Sequence, residues 1–204
     1  MLKIEKEYNE KYSDIPSEYD ERIKFICDKS KLNLSHPKVI NTIEYIKNIK
    51  WKQLEYTIYL LPKATPRPRS GKNGIFYVKG AKDNKKFFKN FMKTQPDVPL
   101  ITTPTKFYCD SYFPTPNSMN NIEKLCAELG LIRPVSKPDW DNVAKAYCDM
   151  IQGILIYDDA LVIEGISRKF YSIKPRIEIK IEYMENYDCN FNKRKLSNKK
   201  VELI

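Results

Sequence analysis

From Arg176 to Met184 the chain alternates strictly, with Ile177, Ile179, Ile181 and Tyr183 separated by Glu178, Lys180 and Glu182. A period of two fits a β-strand with one face in a core, and it fits no helix. Any fold for this chain must therefore contain a sheet. Residues 162–171 and 106–113 also read as strands. In LEYTIYLL, 54–61, Leu54, Tyr56, Ile58 and Leu60 oppose Glu55, Thr57, Tyr59 and Leu61, which predicts a strand whose two faces both find partners. Short strands are expected at 75–78 and at ILIY, 154–157.

Between these strands lie segments with helical spacing. Helices are expected over 18–29 and over 37–50, where Val39, Ile40, Ile43, Ile46 and Ile49 recur and Pro37 suits a first turn. Residues 81–94 carry Phe87, Phe88 and Phe91 among lysines, an amphipathic helix. Ser118 is expected to open a further helix in which Ile122, Leu125, Cys126 and Leu129 share a face, with Gly130 as its stop. The next helix is expected over 139–152, with Asp139 at its N-cap and Gly153 ending it. The fold class is α+β: a small mixed sheet packed with helices, preceded by a helical N-terminal extension. The expected boundaries are 1–52 for that extension, 53–185 for the main domain and 186–204 for a basic flexible tail.

Thirty-six Lys and Arg against 26 Asp and Glu give a net charge of +10, which favours a polyanionic partner such as nucleic acid or an acidic membrane surface. No apolar run approaches the roughly 18 residues of a membrane span, and the N-terminus lacks a secretory h-region, so the expected location is cytoplasmic. Cys27, Cys109, Cys126, Cys148 and Cys189 include no CxxC pair, which points to reduced thiols rather than a disulfide framework or zinc ribbon. His36 is the only histidine and sits beside Pro37, the place of a helix start rather than of a catalytic base.

Against this basic background KPDWDN, 137–142, concentrates acid. On a helical wheel Lys145 and Asp149 fall within about 80° of Asp141, opposite Val143, Ala146, Tyr147 and Met150. A helix over 139–152 rises about 21 Å. If the chain then returns fully extended it covers roughly 20 Å and brings Asp158 and Asp159 back near Asp139 and Asp141. Carboxylates gathered in that way raise one another's pKa unless a cation neutralises them, and oxygen-only ligands suit Mg²⁺ or Mn²⁺. Such an ion favours phosphodiester hydrolysis, with Lys145 stabilising transition-state charge. The plainer reading also accounts for each residue: Asp139 as a cap, Asp141 in a favourable first turn, Lys145 in i,i+4 pairs, Asp158 and Asp159 in a turn.

KPDWDNVAKAYCDMIQGILIYDDALV, 137–162, resembles the signature of the RusA-type Holliday-junction resolvases: Lys/Arg-Pro-Asp-x-Asp-Asn, a Lys, an Asp, then an Asp-Asp pair. Weaker similarity extends through PKATPRPR upstream and RKFYSIKPRIEIKIE downstream, about 54–184 in all. The resemblance implies a RusA-like fold and a homodimeric, Mg²⁺-dependent endonuclease that resolves four-way DNA junctions by paired incisions, in recombination and repair. It puts the essential aspartates at Asp139, Asp141 and Asp159 and the catalytic lysine at Lys145; Asp158, the neighbour of Asp159, is expected to assist at the metal. Asn142 matches the motif, orienting a carboxylate or capping the helix, while Trp140 occupies a variable position suited to core packing. Lys63, Arg67, Arg69 and Lys72 in the Pro-rich loop 62–74, with Lys137, Arg168, Lys169 and Arg176, are the candidate phosphate contacts. Two other readings use the same residues: a non-catalytic protein that holds branched DNA, and a basic protein–protein adaptor.

Overall fold

The computed structural model describes residues 18–64, 69–71, 74–76, 81–95 and 98–187. The chain divides between Ile49 and Lys50 into two compact units. The first contains helices α1 (Tyr19–Lys29) and α2 (Pro37–Lys47). His36 is the N-cap of α2, its Nδ1 accepting from the Lys38 N–H at 3.2 Å, which is the helix-start role expected of it. The helix stops at Lys47, short of the expected residue 50, where the Asn48 side chain donates to the Glu44 carbonyl at 2.8 Å. Lys47 and Asp20 form an ion pair between the two helices.

The second unit holds a four-stranded mixed sheet, in the order β1 (Trp51–Ile58), β6 (Arg176–Met184), β4 (Thr105–Pro114), β5 (Val162–Ser172). β6 pairs antiparallel with both β1 and β4, whereas β4 and β5 run parallel. A second, two-stranded sheet joins β2 (Arg69–Gly71) to β3 (Gly74–Phe76), so Arg69 stands in a hairpin rather than in a loop. Parallel neighbours need a crossover. Between β4 and β5 it consists of α4 (Asn121–Glu128), α5 (Trp140–Ile151) and a short 3₁₀ turn, Asp159–Leu161.

The alternation seen in sequence decides which side of the sheet is dry. Ile58, Phe107, Cys109, Ile177, Ile179 and Ile181 are buried on one face. There they meet Val143, Tyr147, Met150 and Ile151 of α5 and Phe88 of α3 (Ala81–Met92) in one core. Each fully buried aliphatic or aromatic side chain contributes about 1.5–3 kcal/mol. Glu55, Thr57 and Tyr59 are exposed, so β1 packs on one face only, contrary to the two-sided strand expected. Burial pushes the Cys109 thiol up to about 12. Cys27, Cys109, Cys126 and Cys148 are free thiols. No helix among the described residues is long and apolar enough to cross a membrane.

Two expectations for the crossover change. Helix α4 is capped by Asn120 rather than Ser118: Asn120 accepts from the Ile122 and Glu123 N–H groups, and the Glu123 carboxylate accepts from the Asn120 N–H. ILIY is not a strand of the sheet. The Ile151 carbonyl accepts from the N–H groups of Ile154, Leu155 and Ile156, folding the chain into a tight turn after Gly153, whose φ is +73°. Leu155 and Tyr157 then bond to the backbone of Ile101. A continuous apolar run is equally at home in a buried turn, and periodicity does not distinguish the two.

Candidate nuclease site

Helix α5 separates its faces as the wheel requires. Val143, Ala146, Tyr147, Met150 and Ile151 are buried, whereas Asp141 and Lys145 are exposed. Tyr147 spans the core and offers its hydroxyl at the far side, where it accepts from the Lys63 N–H at 2.8 Å. That bond fixes the start of the basic segment against α5. Lys63 itself is exposed. Arg67 and Lys72 lie outside the described residues.

Asp139 is the N-cap in backbone terms, with φ −64° and ψ 145°, and its carbonyl accepts from the Val143 N–H at 3.2 Å. Its side chain makes no capping bond to the helix. The Asn142 amide instead donates to Asp139 Oδ2 at 3.4 Å, so this asparagine orients a carboxylate, the first of the two roles its position suggested. Lys137, Pro138, Asp139 and Asn142 line an open depression of about 420 Å³. Trp140 is 61% exposed beside it, which corrects the expectation that it packs in the core.

The other aspartates lie elsewhere along the helix. Asp158 Oδ1 accepts from the Ala160 N–H at 2.9 Å and opens the 3₁₀ turn. The Gln152 amide donates to Asp159 Oδ1 at 3.3 Å. Cys148, pushed up to about 11 by burial first, also feels Asp159 and Asp149 raising it and Lys145 lowering it. Asp159 therefore stands by the last turns of α5, and Asp139 at its first. The tight turn at Ile151 is the reason, because it replaces the extended return that was to bring Asp159 back. Carboxylate and amide oxygens are the donor type Mg²⁺ or Mn²⁺ takes. Yet among the described residues no three His, Cys, Asp or Glu side chains are grouped closely enough to hold a metal ion. The arrangement is not a preformed metal cage.

Three of the expected phosphate contacts also bond within the protein. Arg168 forms a bidentate pair with Asp110, both bonds at 2.7 Å. Arg176 donates to Glu178 at 2.6 Å and lies over the Tyr112 ring. Lys169 donates to the carbonyls of Ser136 and Pro138, each at 2.9 Å. Lys137 remains exposed at the edge of the depression.

Gln152 was missed, since a glutamine ending a helix carries no signal until the following turn is known. So was Lys85 on α3, whose Nζ stands 3.8 Å from where a Cβ on Gly153 would lie, close to the carbonyl end of α5.

The chain is similar to known proteins along most of its second unit. The chain is 34% identical over 136 residues to the uncharacterized protein YqaN of Bacillus subtilis (strain 168), an alignment covering 63% of this chain and 94% of that one. Residues 60–182, which take in β2 to β5, the whole crossover and most of β6 but none of β1, match the endodeoxyribonuclease RusA family. With its α+β fold, its mixed sheet and the KPDWDN helix start, the chain belongs to the RusA endodeoxyribonuclease family.

Proposed function

We propose that the protein is a Mg²⁺-dependent, structure-specific endodeoxyribonuclease that cuts four-way DNA junctions by paired phosphodiester hydrolysis, in recombination and repair. The observation that carries this reading is the depression at the start of α5. There a carboxylate oriented by Asn142 lies beside the cation Lys137, with Asp141 and Lys145 exposed on the same helix. Lys137 and Lys63 neutralise phosphates as DNA approaches, joined by Arg67, Arg69 and Lys72 of the basic segment. In the hydrolysis a water oxygen bonds to phosphorus while one ester P–O bond breaks, and the proton ends on the leaving oxygen. Lys145 stabilises the negative charge that grows on the non-bridging oxygens. A divalent cation, Mg²⁺ or Mn²⁺, taken by Asp139 and Asp141 at the start of α5, would supply an activated water and charge neutralisation; Asp158 and Asp159 stand at the other end of that helix. Two coordinated incisions need two sites, which a homodimer with two-fold symmetry provides. The setting of such an activity is the cytoplasm, at the chromosome.

One observation favours a second reading, that of a non-catalytic protein holding branched DNA: no three acidic side chains are grouped among the described residues. A single experiment separates the two. A synthetic four-way junction is incubated with the protein and Mg²⁺, beside an Asp141→Asn variant. Symmetric nicks by the wild type, reduced at least about 100-fold in the variant, support the nuclease. Binding without cleavage over a range of Mg²⁺, Mn²⁺ and salt selects the binder.

A further inference from the structure

Strand β5 alternates, so neighbouring residues serve opposite sides of the sheet. Arg168 turns to the open face, where it meets Asp110. Lys169, register partner of the buried Ser111, turns to the side that carries the helices. Its ammonium donates to the Ser136 and Pro138 carbonyls, both at 2.9 Å. Those two carbonyls flank the Lys137–Pro138 peptide bond, which is cis. The same stretch of β5 is gripped a second time, by Arg133, whose guanidinium donates to the Lys169 carbonyl at 3.2 Å and to the Gly130 carbonyl at 2.7 Å. Arg133 also lies over the Phe170 ring, 3.8 Å from its centroid, and Phe170 stacks on Tyr112 at 4.9 Å.

We infer that Lys169 is a positioning residue, which sets the backbone from which the Asp139 carboxylate projects. An ammonium is a compact charge with three donors, suited to drawing two carbonyls to one point. Asp139 is thereby held on both sides: the carbonyl before it is bound by Lys169, and its own carbonyl starts α5 through Val143. A cation used in this way is not a DNA contact, although composition places it among them. The catalytic consequence rests on the nuclease reading above; the clamp itself does not.

The test is Lys169→Met in the full-length protein, read in three ways. Amide hydrogen exchange in a peptide spanning 135–143, without DNA, is expected to rise at least tenfold while the melting transition stays cooperative. Junction binding without divalent cation is expected to keep its salt slope, since one lost phosphate contact would lower the slope by about 0.9. Single-turnover cleavage at saturating protein is expected to fall at least tenfold, with a higher Mg²⁺ concentration for half-activation. Unchanged exchange overturns the clamp. So does a salt slope lowered by one contact with cleavage intact at saturation, which makes Lys169 a phosphate contact. Loss of the cooperative transition overturns it in favour of a residue needed for the fold. If the wild type cleaves no junction, the nuclease reading fails, and exchange still decides the clamp.

Discussion

Helices α4 and α5 lie in the same crossover, both amphipathic in sequence, and the protein treats them oppositely. On α5 the apolar face is sealed: Val143, Tyr147 and Ile151 are 0% exposed. On α4 the apolar row faces water, with Ile122 74%, Leu125 59% and Leu129 70% exposed, and Leu131 and Val135 continue it at 77% and 95%. Only Ala127 of α4 is buried. What holds α4 is polar: the Asn120–Glu123 capping box at its start, and at its end the Glu128 carboxylate accepting from Ser172 Oγ and the Ile173 N–H, both at 2.9 Å. A helix can thus be fixed by its ends or by its side. The candidate site residues Asp141 and Lys145 stand on the one fixed by its side, where backbone motion is least compatible with core packing.

The contrast can be broken first at Tyr147. Tyr147→Ala removes a ring at the centre of the core together with the acceptor for Lys63, and about 3–5 kcal/mol of stability should go with it. Denaturant unfolding measures this; a loss below 1 kcal/mol would mean that α5 is not fixed by its side. The thiols give a second comparison. Cys148 on α5 is raised to about 11, against an ordinary value of 9.0. Near pH 8 its thiolate is therefore roughly a hundredfold scarcer than an ordinary one. A thiol reagent should label the partly exposed Cys126 of α4 well before Cys148, and peptide mapping would read the order. The sign of the pH effect follows. Raised thiol pKa values at Cys148 and Cys109 contribute stability that is complete below pH 9 and lost as the pH rises towards 11–12. A melting temperature flat between pH 9 and 11 would contradict it.

At α4 the effects should be smaller. Asn120→Ala removes the capping box and should cost about 1 kcal/mol. Leu125→Glu, on the exposed row, should change stability by no more than about 0.5 kcal/mol. If it costs as much as a core substitution, the row is covered in solution and α4 is fixed by its side after all.

Period-two alternation placed β4, β5 and β6 to within a residue or two, and the wheel assigned every buried residue of α5 that it named. Those patterns are local and repeat along an element, so a single sequence displays them. The exposure of α4 was not legible, because amphipathicity says that a face is apolar and not that anything covers it. Asp159 was misplaced because its position depends on one carbonyl, that of Ile151, gathering three N–H groups. The bonds of Lys169 were not legible because its partners, Ser136 and Pro138, lie more than thirty residues before it in the chain. Trp140 shows the same limit. An aromatic at a helix start packs or projects according to a neighbour that the sequence does not name.

The parallel pairing of β4 with β5 has a consequence for how sequence change can enter this protein. Everything from Thr115 to Leu161 hangs between two strands whose mutual register is set by their own hydrogen bonds, Thr105 opposite Val162 through Pro114 opposite Ser172. The crossover is therefore a cassette with fixed ends. Its first half, anchored by caps and a surface clasp, accepts lengthening, shortening or a new exposed face without re-registering the sheet. Its second half, locked to the core by Tyr147 and to β5 by Lys169, does not.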